Sequence, residues 1–157
     1  MNDIRSVQLE WLRPHQIAAQ REKADIAFLP LGSLEWHGLH NPIGLDVHKI
    51  HHICCLAAQI IGGGVVAPPL VWGLPRDSFF VDKANPEVTA KVALAYGTDD
   101  DTVRVFSSHG GMDTQEQWLF YQRLLRMSLE HLAGYGFRSI YVATGHGRSS
   151  HHHSHWT

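Results

Sequence analysis

Glu35 and His37 stand two residues apart, so in an extended chain their side chains leave the same side and converge on one region. Asp46 opens the next apolar segment, and His146 lies between Gly145 and Gly147 far along the chain. Imidazole nitrogen with carboxylate oxygen is the donor set of catalytic zinc or of manganese, and it leaves positions open for water. Each residue also has a plainer role. Asp46 suits a helix N-cap, Glu35 and His37 suit a polar loop, and Gly145-His146-Gly147 suits a tight turn after a strand. The metal reading draws its weight from the joint arrangement at two strand ends.

Those ends must be built by the elements before them. Residues 26–31 (IAFLPL) form a short continuous apolar run, the pattern of a strand buried on both faces of a parallel sheet. From Asp46, the residues Val47, Ile50, Ile53, Cys54, Ala57, Ile60 and Ile61 recur at helical spacing until three glycines at 62–64 stop them. Residues 65–72 read as a second buried strand that Pro68 and Pro69 push toward an edge or an early stop. Residues 77–108 are the least regular. There, Asp99, Asp100 and Asp101 suggest a solvated turn and 102–106 alternate as in a strand. A long amphipathic helix is expected over 115–133 from Trp118, Leu119, Gln122, Leu125, Leu129 and Leu132, followed by a buried strand over 139–144. Strand, helix and strand in alternation give an α/β layered domain with a mostly parallel sheet, whose ligands bind outside the carboxyl ends of the strands.

Composition narrows the function classes. A chain of 157 residues with 44% hydrophobic and 18% charged residues can bury a core, which argues for one globular domain. Thirteen Lys and Arg against fifteen Asp and Glu, scattered along the chain, make nucleic acid a poor partner. The adjacent Cys54 and Cys55 build neither a disulfide framework nor a metal knuckle, and a reducing cytoplasm is expected. Charges at Asp3, Arg5, Glu10 and Arg13 leave no room for a signal peptide at this end. The charge-free stretch 53–75 is broken by the glycines 62–64 and by Pro68-Pro69, so no membrane span is expected. His151, His152, His153 and His155 make residues 149–157 read as an unstructured or tag-like tail, leaving 1–148 as the domain.

Residues 29–40 (LPLGSLEWHGLH), followed by Asp46, resemble the amino-terminal signature of the creatininase (creatinine amidohydrolase) family. Residues 134–147 (GYGFRSIYVATGHG) are similar to its second signature. The resemblance implies a three-layer α/β/α fold, here shortened, in a homo-oligomeric, metal-dependent hydrolase of linear or cyclic amide C–N bonds. It implies that Glu35, His37, Asp46 and His146 are metal ligands, with Asp46 bridging two ions. These would be zinc or manganese, with iron as a further candidate. His40 belongs to the motif, and the resemblance implies a role beside the ligands or on the substrate side. Arg148 departs from the pattern, because creatininase carries a carboxylate two residues after the histidine matching His146 and a cation cannot ligate a metal. Relatives also carry further acidic and substrate residues downstream, beyond Thr157 of this chain. A catalytically incomplete member that binds a metal or small molecule is therefore the alternative expectation, and an α/β structural subunit with incidental polar loops is the plain default.

Overall fold

The computed structural model describes residues 4–35, 37, 39–72, 86–104 and 114–146. The expected tail 149–157, Gly147, Arg148, Trp36 and Gly38, and the stretches 77–85 and 105–108 lie outside the described residues. Two short 3-10 turns, Ile4–Ser6 and Leu9–Trp11, precede helix α1 (Pro14–Lys23). Strand β1 (Ile26–Leu31), helix α2 (Leu45–Ile61) and strand β2 (Val65–Val66) follow, then helices α3 (Pro86–Tyr96), α4 (Asp100–Arg104) and α5 (Thr114–Gly134), and finally strand β3 (Ser139–Thr144).

The three strands form one parallel sheet in the order β2-β1-β3, which bears out the small α/β fold expected from the sequence. Alternation along β1 divides the core between two faces. Phe28 packs with Ile50, Cys54, Cys55 and Ala58 of α2, whereas Ala27, Leu29 and Leu31 pack with Leu125 and Leu132 of α5 and with Ile17 of α1. β1 is thus buried on both sides, as an all-apolar hexamer requires.

Several expectations need correction. β2 spans two residues, because Pro68 and Pro69 cannot donate to the ladder; only a single bridge, Leu31 to Leu70, continues the pairing. β3 is partly exposed, with Tyr141 outward and Ala143 its one buried residue, since it lies at a sheet edge among the described residues. On α2 the buried face is Asp46, Val47, Ile50, Cys54, Cys55 and Ala58, while Ile53, Ile60 and Ile61 are exposed. Residues 100–104 are helical where a strand was expected over 102–106. The Asp99 carboxylate accepts the Thr102 N–H at 2.7 Å, and Asp100 and Asp101 then occupy the favourable end of the helix dipole. α1 has too little apolar periodicity to be read in advance. It starts on Pro14, and the Gln16 side chain accepts the Arg13 N–H at 2.8 Å.

Both cysteines are free and buried. Among the described residues no helix is long and apolar enough to cross a membrane.

Candidate metal centre

β1 ends at Leu31, so Glu35 and His37 sit in the loop beyond it rather than on an extended strand. They converge nonetheless, because the loop is closed on itself. Glu35 N–H donates to the Ile43 carbonyl at 3.0 Å, and Asn41 Nδ2 donates to the His37 carbonyl at 3.1 Å.

Asp46 enters from the other side. The N-cap of α2 is Gly44, whose carbonyl accepts the His48 N–H at 2.9 Å, so the N-cap expectation for Asp46 is corrected. Asp46 occupies the first turn instead, buried at 4% exposure. A carboxylate this deeply placed must be compensated. Lys49 Nζ, one turn on, lies 3.0 Å from Oδ1, and His37 Nε2 lies 3.4 Å from Oδ2.

His146 arrives by close packing. Gly145 N–H donates to the Leu31 carbonyl at 2.8 Å, and a Cβ on Gly145 would come within 2.2 Å of the Asp46 carbonyl oxygen. Only a glycine therefore lets the end of β3 meet the start of α2 this closely. The turn is clamped by Thr144, whose hydroxyl donates to the His146 carbonyl at 2.8 Å and accepts the His146 N–H at 3.1 Å. His146 is buried, with Nε2 3.0 Å from the Glu35 carboxylate and Nδ1 without a hydrogen-bond partner among the described residues.

The ligand atoms of Glu35, His37 and Asp46 all lie within 4.8 Å of one another, and His146 falls outside that group while touching its Glu35. His40 is exposed in the turn that follows. Of the expected ligands the structure thus brings three into one cluster and places the fourth against one member. The residue that sequence reasoning missed is Lys49. Its only signal was its position three residues after Asp46 on a helix.

The donor set fits a divalent ion. His37 Nδ1 lies 3.0 Å from the Glu35 carbonyl oxygen, which can only accept, so Nδ1 donates there and Nε2 is the ring nitrogen turned to the carboxylates. That nitrogen faces Asp46 Oδ2 at 3.4 Å and Glu35 Oε1 at 3.7 Å. A lone pair opposite two carboxylate oxygens is repulsive unless a proton or a cation lies between them. Donors each about 2.1 Å from one tetrahedral ion are separated by about 3.4 Å, close to the spacing observed.

Residues 10–81 match the family model Creatininase, described as creatinine amidohydrolase. The match includes Glu35, His37, His40 and Asp46 and stops short of His146. No curated protein and no solved structure matches the chain.

Proposed function

We propose, on the premise that residues 10–81 belong to the creatininase family, that this chain is a metal-dependent hydrolase of an amide C–N bond in a small molecule. The observation carrying this reading is the convergence of Glu35, His37 and Asp46: with His37 Nδ1 against the Glu35 carbonyl, its Nε2 faces two carboxylates. Glu35, His37 and Asp46 would hold the ion, zinc or manganese by donor chemistry, with His146 at its Glu35 side. Such an ion, when bound, lowers the pKa of a coordinated water toward ~7 and polarises the amide carbonyl.

The chain's own residues supply the rest. The Glu35 carbonyl fixes the ring plane of His37, and the first turn of α2 fixes Asp46. His146 holds a proton between Nε2 and the Glu35 carboxylate, steadying that side chain. His40, exposed in the turn after His37, is the residue proposed to act on the substrate side. The protein acts in the cytoplasm as a homo-oligomer. Exposed Ile53, Leu56 and Ile60 on α2 and Tyr141 on the β3 edge support the assembly.

A second reading, a metal-binding member unable to turn over, is favoured by one contact. Asp46 Oδ1, the oxygen a bridging aspartate would offer to a second ion, is engaged by Lys49.

The test is elemental analysis of the full chain carrying His151→Ser, His152→Ser, His153→Ser and His155→Ser, with and without His37→Ala, alongside an amide-hydrolysis screen. Bound metal lost with His37→Ala, plus hydrolysis abolished by Glu35→Gln, supports the hydrolase. Metal without hydrolysis selects the second reading, and no metal overturns both.

A further inference from the structure

From the Lys49–Asp46 contact we infer that Lys49 is the resident counter-cation of the metal site: it stabilises the metal-free cluster, opposes entry of a divalent ion, and limits the site to one ion. The inference rests on the metal reading above and deepens it.

Asp46 is buried, and the second carboxylate of the cluster, Glu35, lies within 4.8 Å of the same ligand set. Two carboxylates in partial burial repel, and the ammonium at Oδ1 is the positive charge set directly against the more buried of them. The lysine side chain is half-exposed, so it reaches in from solvent along the outer side of α2. Its geometry divides the work of the carboxylate. Oδ1 belongs to Lys49 and Oδ2 faces His37, so Asp46 has one oxygen for an ion among Glu35, His37 and itself. A dication on Oδ2 would lie across a single carboxylate from the ammonium, and like charges at that range repel strongly in a low-dielectric site.

Two effects of opposite sign follow on removing the charge, and an ordinary exposed helix pair produces neither at measurable size. The experiment uses the full chain with the four tail histidines changed to serine, comparing Lys49→Met and Lys49→Arg with the parent. Melting is followed in EDTA, and Zn(II) and Mn(II) affinity and stoichiometry are measured by chelator competition and equilibrium dialysis. The expected result is one ion per chain in the parent. Lys49→Met should melt at least several degrees lower in EDTA and bind the ion about tenfold or more tightly, with Lys49→Arg close to the parent in both. Should Lys49→Met be too unstable in EDTA to assay, Lys49→Gln gives the affinity arm. Two ions in the parent, or an unchanged affinity in both uncharged variants, overturns the inference. Absence of any binding in parent and variants instead overturns the metal reading beneath it.

Discussion

Gly145 lies so close to Asp46 that a Cβ on the glycine would sit 2.2 Å from the aspartate's carbonyl oxygen. That contact joins the end of β3 to the first turn of α2 and thereby sets the distance between His146 and the rest of the cluster. The opposing atom is backbone, which cannot swing aside as a side chain would. Gly145→Ala should therefore cost about 1–3 kcal/mol, the usual penalty for overpacking a tight interior. Urea denaturation measures it. A variant as stable as the parent would show that the strand end and the helix can separate without loss.

Cys54 and Cys55 should be chemically quiet in the folded protein. Burial, followed by the neighbouring Cys55, pushes the Cys54 thiol up to about 11, and burial also raises Cys55 despite a hydrogen bond from Gln8. Thiolate is the reactive form, so at pH 8 ionisation alone should slow iodoacetamide alkylation of Cys54 by about two hundredfold relative to an ordinary thiol at ~8.5. The rate should climb as pH rises toward 11. Native alkylation as fast as in guanidinium would mean that α2 does not hold this face against β1.

Asp25 ties the turn between α1 and β1 to the start of β3. Its Oδ1 accepts the Arg138 N–H at 3.0 Å and its Oδ2 pairs with the Arg138 guanidinium. The backbone hydrogen bond from Arg138 is the largest cause holding the Asp25 carboxyl below its usual range, with the guanidinium next. A carboxylate whose pKa falls on folding contributes stability that is complete above the unfolded pKa, near ~3.9, and is lost as pH falls through the lower folded value. Asp25→Asn should accordingly lower the melting temperature modestly at pH 6–7, and the gap to the parent should narrow as pH falls below ~3.9. Equal gaps at both ends would show that the side chain acts through shape rather than charge.

How far the sequence revealed the site depended on whether a residue's type announced its role. Glu35, His37 and Asp46 were legible only jointly, as carboxylates and an imidazole gathered at a strand end within a motif resembling a known signature, since each alone also suits a cap or a polar loop. Lys49 was not, since a lysine on a helix ordinarily marks a solvated face, and it is the burial of Asp46 one turn earlier that gives this half-exposed side chain its partner. The strands β1 and β3 were readable as unbroken apolar or β-branched runs. The outward Ile53, Ile60 and Ile61 of α2 were not, because periodicity identifies an apolar stripe without saying which edge of it meets the sheet. The residues Asp99 to Asp101 misled because an aspartate run looks like a solvated turn, and it opened α4 instead.

The two histidines of the centre should differ in weight. His37 belongs to the three-residue cluster, faces both carboxylates and has its Nδ1 against the Glu35 carbonyl. His146 touches Glu35 alone, so in this arrangement it orients a ligand more directly than it supplies one. Removing a group that orients a ligand typically weakens metal binding about 10–100-fold, whereas removing a ligand from a set of three leaves too few donors for a stable site. In the full chain with its tail histidines changed to serine, His37→Ala should abolish stoichiometric Zn(II) binding, and His146→Ala should weaken it within that 10–100-fold range. The reverse order of effects would move the ion to the His146 side of Glu35.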